Sequence, residues 1–209
     1  TFLCMEVGIE VCVNRDPRVI TRSLLEVRPN MMCSVPRFWE KVYDGVLAKI
    51  AAFPKILQKL INHALKLGRR HNLEYLAQGK KPSFWLHFRY MFYKKTIFRM
   101  LAKAIGLENG TLFPTAGAAI PPTIEEFVHS VGISLIVGYG LTESTATVSC
   151  DQGKKTIGSI GRPLPGIEVK IGENDELLVK GPNITHGYYK KEEANREAFD
   201  ADGFFHTGD

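Results

Sequence analysis

The pattern around which the sequence is arranged reads Val137-Gly138-Tyr139-Gly140-Leu141-Thr142-Glu143-Ser144. It follows the short apolar run 133–137, which predicts a buried β-strand. In open α/β sheets, ligands bind beyond the carboxyl ends of the strands. Glycines there let the backbone approach a ligand, and a hydroxyl next to a carboxylate can donate a hydrogen bond and bind Mg²⁺. An ordinary strand-to-loop turn would have the same residues, so this pattern alone leaves both interpretations open.

A second strand and a helix precede this pattern. Residues 107–113 lead into a strand that ends at the small-residue run Thr115-Ala116-Gly117-Ala118-Ala119-Ile120. Thr123-Ile124-Glu125-Glu126 is a capping-box signature, which predicts a helix start there. Because parallel strands joined by a helix end at the same edge of a sheet, we expect the two loops to lie side by side in a βαβ unit. The small residues could admit a flat ligand, although a tight turn explains them equally well.

The residues before these strands are predicted to be mostly helical. Residues 18–28 have apolar side chains at helical spacing, and Pro36 opens a second helix with Trp39, Val42, Tyr43, Val46, Leu47 and Ile50 on one face. A third helix begins near Pro54, with an apolar face of Ile56, Leu57, Leu60, Ile61, Ala64 and Leu67, and Gly68 fits its end. Residues 1–13 suit a helix end and a buried strand, and residues 30–35 a short strand.

Residues 84–100, here called the aromatic–basic segment, alternate aromatic rings with cations. A helix lying on a membrane would show a clean basic face. In this segment the apolar residues surround most of the helix, so we expect a buried helix. Contact with a membrane or lipid surface is the alternative, and no nucleic-acid partner is expected.

Composition indicates a globular protein. The chain has 209 residues, of which 44% are hydrophobic and 23% charged. Its net charge of +5 is uneven, because residues 1–110 contain 19 basic and 8 acidic residues, whereas residues 111–209 contain 8 and 14. The cysteines at positions 4, 12, 33 and 150 lack metal-site spacing, so we expect small buried thiols in a reducing, cytoplasmic setting.

The character of the sequence changes after Cys150. Residues 158–166 are rich in turn formers, and residues 167–171 then alternate apolar with charged side chains. A return strand at Leu177-Leu178-Val179-Lys180 predicts an antiparallel hairpin, and residues 191–199 suit a short helix. We therefore expect an α/β subdomain over residues 1–151 and the start of a β-rich subdomain over residues 152–209.

Several motifs occur together in one order: Ala116-Gly117-Ala118-Ala119, Tyr139-Gly140-Leu141-Thr142-Glu143, Gly161-Arg162-Pro163, Glu176 to Pro182, Gly187-Tyr188 and Thr207-Gly208-Asp209. The set resembles the adenylate-forming (AMP-binding) enzymes, which include acyl-CoA synthetases, luciferases and the adenylation domains of peptide synthetases. Val35-Pro36-Arg37-Phe38-Trp39-Glu40-Lys41-Val42-Tyr43 resembles the long-chain fatty acid–CoA ligase branch. The resemblance implies an α/β fold of βαβ sheet layers flanked by helices, followed by part of a distorted β-barrel.

The resemblance also implies a role for each matching residue. Residues Gly117, Ala118 and Ala119 would lie along the adenine of ATP or AMP, and Tyr139 and Gly140 would border it. Thr142 would hold the α-phosphate, Glu143 would bind Mg²⁺, and Asp209 would accept both ribose hydroxyls. The acyl substrate would run beside Val137, Gly138, Tyr139 and Gly140, and coenzyme A would be the acceptor.

The sequence departs from the family pattern at Ala116 and Asp175, where glycine is usual. The family's phosphate loop would lie before Thr1, and its C-terminal domain, with the lysine that assists adenylation, would lie beyond Asp209. We therefore expect these residues to be an internal fragment of an N-terminal domain that is inactive alone.

The long-chain interpretation has a second source in the residues themselves. The run 133–137 is apolar up to the proposed site and has no cation to meet the far end of a polar acid. An adenylate-forming ligase for an aryl, acetyl or amino acid is the first alternative. A nucleotide- or lipid-binding module without catalysis is the second.

Overall fold

The computed structural model describes residues 6, 8–151 and 155–209. Its α-helices are α1 (Ile20–Val27), α2 (Pro36–Ala51), α3 (Lys55–Arg69), α4 (Phe84–Tyr93), α5 (Arg99–Lys103), α6 (Pro122–Ser130) and α7 (Glu192–Ala198). Its strands are β1 (Phe113–Thr115), β2 (Leu135–Tyr139), β3 (Ser149–Cys150), β4 (Arg162–Pro163), β5 (Glu168–Ile171), β6 (Leu177–Lys180) and β7 (Phe205–His206). π-Helical turns extend α3 through Arg70–Tyr75 and join α4 to α5 through Lys94–Phe98.

The first sheet contains the predicted βαβ unit. Its strand order is β1-β2-β3-β4, and β1 pairs with β2 in parallel, with Thr115 opposite Val137. Helix α6 connects these two strands, which confirms the strand–helix–strand prediction. Strands β3 and β4 then add in antiparallel orientation. The predicted strand at 30–35 is reduced to two isolated parallel bridges, from Met31 to Leu112 and from Ser34 to Thr115.

The second sheet is antiparallel, in the order β5-β6-β7. The pairing of Val169 with Val179 confirms the predicted hairpin. Within the described residues the strands form two open sheets and no closed barrel. Strand β4 pairs with β3 and so belongs to the first sheet, although it follows residue 152 in the sequence.

Two hydrophobic clusters lie beneath these elements. The larger joins the helices to β1 and β2 and includes the fully buried Trp39, Ile61, Phe113 and Leu135. The indole of Trp39 donates to the Ser34 hydroxyl at 2.9 Å, so the buried ring also satisfies its polar atom. The smaller cluster contains Val148, Val179, Ile184 and Phe205, and it packs below the second sheet.

Several expectations about burial are wrong. Ile56 on α3 is 85% exposed, and Leu47 and Leu60 are also exposed, because periodicity predicts the apolar face of a helix but not how much of it a neighbour covers. Cys12 and Cys33 are exposed rather than buried. Residues 8–13 form no strand and are exposed, while residues 1–5 and 7, with Cys4 among them, lie outside the described residues.

The aromatic–basic segment is not the buried helix that we expected. Tyr90, Ile97 and Phe98 are buried, but most rings at the start of the segment face outward. The reason is geometric: α4 contacts neighbouring helices on one side. The rings on its other side touch one another but stay exposed, because no helix or strand of the described residues covers them.

The predicted capping box is also wrong. Helix α6 begins at Pro122, whose missing N–H and fixed φ suit the first helical position. Glu125 instead turns inward, is fully buried and accepts a hydrogen bond from the Gly158 N–H at 2.9 Å. Burial raises the pKa of this carboxyl.

Gly68 and Gly45 provide a matched test of packing. Both lie within helices, where alanine in place of glycine normally adds about 0.5–1 kcal/mol of stability. A Cβ at Gly45 would meet open space, whereas a Cβ at Gly68 would lie 2.1 Å from the Ser130 carbonyl oxygen of α6. We expect Gly45→Ala to raise the free energy of unfolding and Gly68→Ala to lower it by about 1–3 kcal/mol. Chemical denaturation measures both, and shifts of the same sign would contradict this packing.

Candidate active site

The candidate site lies at the edge of the first sheet where β1 and β2 end. Because these strands are parallel, the loop after Thr115 and the loop after Tyr139 leave the sheet on the same side. Residues 116–119 are exposed there, and Gly117 has a φ of +91°, a conformation that favours glycine. The structure therefore brings the two predicted ligand loops to one edge.

Tyr139 and Asp209 meet directly, although 70 residues separate them. The Tyr139 hydroxyl donates to Oδ2 of Asp209 at 2.5 Å. Burial, and then this hydrogen bond, raise the pKa of the Tyr139 phenol to about 12. The phenol therefore stays a protonated donor at neutral pH. Two residues predicted to contact the base and the ribose of one nucleotide are thus adjacent.

Glu176 holds the Thr207–Asp209 turn in place, a role that sequence reasoning missed. Its carboxylate accepts the Gly208 N–H at 2.9 Å, and Nδ1 of His206 lies 2.9 Å from its other oxygen. The hydrogen bond with His206 lowers the pKa of Glu176. The Leu177 N–H also donates to the Asp209 carbonyl at 2.8 Å. In the sequence, Glu176 was noted only as the first residue of the motif 176–182, and no role was assigned to it.

Thr142 and Glu143 occupy a short 3₁₀ turn that follows β2. Ser144, fully buried, accepts the Leu141 N–H at 2.9 Å and so closes the turn. The chain then passes through left-handed backbone at Thr145 and Ala146, with φ of 51° and 86°. Such conformations are uncommon for residues other than glycine, so the surrounding contacts must hold this loop.

Asn183 supplies those contacts and was not singled out from the sequence. Its side-chain amide donates to the carbonyls of Ser144 at 2.8 Å and Thr147 at 3.0 Å. Its own carbonyl accepts the Thr145 hydroxyl at 2.8 Å. Asn183, which follows strand β6 of the second sheet, thus fixes the loop that presents Thr142 and Glu143.

Glu143 is half-buried and Thr142 is exposed, so both side chains remain accessible at this edge. The Tyr188 hydroxyl donates to Oε1 of Glu143 at 2.9 Å, and Oε2 lies outside that hydrogen bond. The Thr185 N–H donates to the Glu143 carbonyl at 2.7 Å, which anchors the backbone. A single accessible carboxylate fits Mg²⁺, because this ion usually takes one or two carboxylates and completes its shell with phosphates and water.

The described fold defines an α/β protein in which the two predicted ligand loops meet at the carboxyl edge of a parallel strand pair. The family model described as AMP-binding enzyme matches residues 1–189, and the chain belongs to this family of adenylate-forming enzymes.

Named relatives agree with this family, and a solved structure shares the fold. Long chain acyl-CoA synthetase 7, peroxisomal, of Arabidopsis thaliana is 30% identical over 200 residues, covering 88% of this chain and 27% of that protein. Long-chain-fatty-acid–CoA ligase FadD15 of Mycobacterium bovis is 28% identical over 204 residues, covering 96% of this chain and 33% of that protein. The crystal structure of apo MatB from Rhodopseudomonas palustris shares the fold, with a TM-score of 0.55 and 19% identity. The match covers 90% of this chain and 30% of MatB. The chain thus spans 27% and 33% of the lengths of the two curated relatives.

Proposed function

We propose that the full-length protein activates a long-chain fatty acid with ATP and transfers the acyl group to coenzyme A. A carboxylate oxygen of the acid bonds to the α-phosphorus of ATP, and the bond to the leaving pyrophosphate breaks. The thiol of coenzyme A, losing its proton, then bonds to the acyl carbon, and AMP leaves. The observation that carries this proposal is the meeting of Tyr139 and Asp209 at the end of β2, on the strand that leads to Glu143, in a chain of the AMP-binding family.

The nucleotide would be held by three elements. Residues 117–119 would lie along one side of the adenine, and the ring of Tyr139, followed by Gly140, would pack against it. Asp209 would accept the two ribose hydroxyls, since a carboxylate has acceptor capacity for both as well as for the Tyr139 hydroxyl. The hydrogen bonds to Glu176 support this role, because they orient the turn that carries Asp209.

The phosphates would lie beyond β2. There Thr142 would donate its hydroxyl to the α-phosphate, and Glu143 would hold Mg²⁺ through its carboxylate. When bound, the ion would neutralise phosphate charge during adenylation. The anchoring of Glu143 through its backbone and through Tyr188 supports this assignment, because a charged ligand is effective only when it is held in position.

The names of the two relatives support a long acyl chain as substrate. We place that chain beside Val137, Gly138, Tyr139 and Gly140. A Cβ built at Gly138 would meet the Ser149 carbonyl oxygen at 3.4 Å and Cys150 Cβ at 3.8 Å. These are ordinary contact distances, so the backbone at Gly138 is not tightly covered by its neighbours. The subdomain division at residue 152, the C-terminal domain and the cytoplasmic location stay predictions from sequence.

Release of pyrophosphate tests the proposed function directly. The purified full-length protein is mixed with ATP, Mg²⁺ and one acid at a time, from acetate and benzoate to palmitate, and acyl-CoA is then measured after coenzyme A is added. We expect release that depends on the long acid and thioester formation that depends on coenzyme A. No acid-dependent release with any acid would refute the function, and a preference for benzoate or acetate would refute the substrate.

Asp209→Ala tests the ribose contact. We expect the KM for ATP to rise about ten- to a hundredfold, while the KM for the acid changes little, because hydrogen bonds to a charged group contribute roughly 1.5–3 kcal/mol. Tyr139→Phe is the matched control, since it removes the same 2.5 Å hydrogen bond but keeps the carboxylate. It should raise the KM for ATP much less. Equal affinity of the unaltered protein for ATP and its 2′,3′-dideoxy analogue would contradict the assignment.

Gly138→Trp tests the acyl path. A bulky ring beside the reacting carboxylate should exclude long acids far more than acetate or butyrate, because each buried CH₂ of a long chain contributes about 0.8 kcal/mol that the blocked path would lose. The ratio of kcat/KM for palmitate to that for butyrate is the measurement. If all chain lengths lose activity to the same extent, the acyl chain does not pass Gly138.

A further inference from the structure

The outward face of α4 carries four aromatic rings, here called the aromatic patch: Phe84, Trp85, Phe88 and Phe92. They are 75%, 71%, 58% and 61% exposed. Ring centroids of Phe84 and Phe88 lie 6.4 Å apart in a stacked arrangement, and Trp85 contacts both rings edge-on. Single exposed apolar residues are ordinary, but a contiguous exposed patch marks an interaction site.

The rings follow the axis of the helix. Phe84, Phe88 and Phe92 recur every four residues, so they form one stripe along nearly the whole length of α4. The opposite side of the same helix packs inward, where Tyr90 is buried. A helix with this arrangement can lie flat against a surface while its other side stays attached to the protein.

The patch lies within a strongly basic part of the chain. Residues 55–103 contain 12 lysines and arginines and one acidic residue, Glu74, which gives a net charge of +11. Residues 1–110, with 19 basic and 8 acidic residues, have the same net charge, so all of their excess positive charge lies in this range. Lys80 and Lys81 precede α4, and Lys95 and Arg99 follow it, all four exposed. Within the described ranges none of these four cations forms a salt bridge, so their charge is available to an external partner.

We propose that the aromatic patch docks the protein on the surface of an anionic phospholipid bilayer. The rings enter the boundary between headgroups and acyl chains, where Trp is favoured and where interfacial helices also bury Phe side chains. The flanking lysines and arginine meet the anionic headgroups, each cation adding attraction near such a surface. Charge complementarity selects this occupant, because a mainly apolar protein partner would not require four exposed cations at the two ends of α4, in a sequence range with a net charge of +11.

Vesicle co-sedimentation of the full-length protein tests the aromatic half of the proposal without any activity measurement. Vesicles of phosphatidylcholine mixed with phosphatidylglycerol should bind the protein at least about tenfold more tightly than phosphatidylcholine alone. The double variant Trp85→Ala/Phe88→Ala should lose at least about tenfold in partitioning. Tyr189→Ala is the matched control, since Tyr189 is 86% exposed but lies far along the sequence from the patch, and it should bind as the unaltered protein does.

The contribution of the flanking lysines is tested with two matched double variants. Lys80→Glu/Lys81→Glu should weaken binding to the anionic vesicles by about tenfold or more, and added salt should weaken it further. Lys190→Glu/Lys191→Glu makes the same change of charge outside the basic region and should have a much smaller effect. Equal losses for the two pairs would show attraction by net charge alone and would overturn a docking face at α4.

Trp85 fluorescence separates a bilayer from other occupants. Anionic vesicles should shift the emission of Trp85 to shorter wavelength, measured as the difference from Trp85→Phe. Two results would overturn the proposal. One is protection of Trp85 from iodide quenching without lipid, which would show that another segment of the full-length protein covers the patch. The other is a change of oligomeric state in Trp85→Ala/Phe88→Ala, which would show that a second copy covers it.

Discussion

Glu143→Gln is expected to slow acid-dependent pyrophosphate release by about a hundred- to a thousandfold while leaving the melting temperature nearly unchanged. Glutamine keeps the size of the side chain and an acceptor for the Tyr188 hydroxyl, but it removes the negative charge that would bind Mg²⁺. Loss of a metal contact costs several kcal/mol of transition-state stabilisation, and each 1.36 kcal/mol is a factor of ten in rate. The measurement is the initial rate at saturating ATP over a range of Mg²⁺ concentrations.

Tyr188→Phe is the control for this result. It removes the 2.9 Å hydrogen bond to Oε1 but leaves the carboxylate, so it separates support of the loop from metal binding. We expect its rate to fall much less than that of Glu143→Gln. If Glu143→Gln instead lowers the melting temperature and retains normal turnover at saturating Mg²⁺, then Glu143 serves the structure of the turn and not the reaction.

Gly140→Ala is expected to abolish adenylation, with a loss of at least about a hundredfold. A Cβ at this position would lie 1.7 Å from the Ala146 carbonyl oxygen, 2.6 Å from its carbon and 2.8 Å from the Thr147 Cα. All three are backbone atoms, so the 140–147 loop would have to move, and Thr142 and Glu143 would move with it. A displacement of about 1 Å at a reacting centre can cost about a hundredfold in rate.

Gly138→Ala, on the preceding strand β2, is the structural control. Its Cβ would make ordinary contacts at 3.4 and 3.8 Å, so we expect its melting temperature to match that of the unaltered protein. Gly140→Ala should lower the melting temperature, since the strained backbone at Thr145 and Ala146 leaves no room to relax. Normal adenylation by Gly140→Ala would show that the position of this loop does not matter for the reaction.

Local patterns in the sequence were enough to predict the elements near the site. The apolar run 133–137 and the capping residues around Thr123 indicated a strand and a helix, and the parallel pairing of β1 with β2 confirmed the unit that they build. The hairpin at 167–180 was predicted from the alternation of residues 167–171 followed by a turn and a return strand, because the side chains of a half-buried strand alternate between two faces. The start of α6 was misplaced, since a proline at the first helical position outweighed the capping box.

The site residues depended on more than local pattern. The order of the motifs was enough to nominate Tyr139, Thr142, Glu143 and Asp209, but not Asn183 or Glu176. These two act by hydrogen-bonding backbone groups 39 and 32 residues away, at Ser144 and Gly208. No periodicity or propensity reports such contacts, because their partners become neighbours only when the second sheet is in place.

The sequence by itself determined the α/β class and the βαβ unit, since both follow from short-range patterns of apolar side chains, glycines and turn residues. The ligand loops were predicted from the order of their motifs. Only the tertiary structure decided which parts of each helix are covered. Ile56 and the rings of the aromatic patch have the composition of core residues, yet they are exposed because no described element packs against them. Burial depends on how elements pack against each other, and the hydrophobicity of the side chains in one helix does not predict that packing.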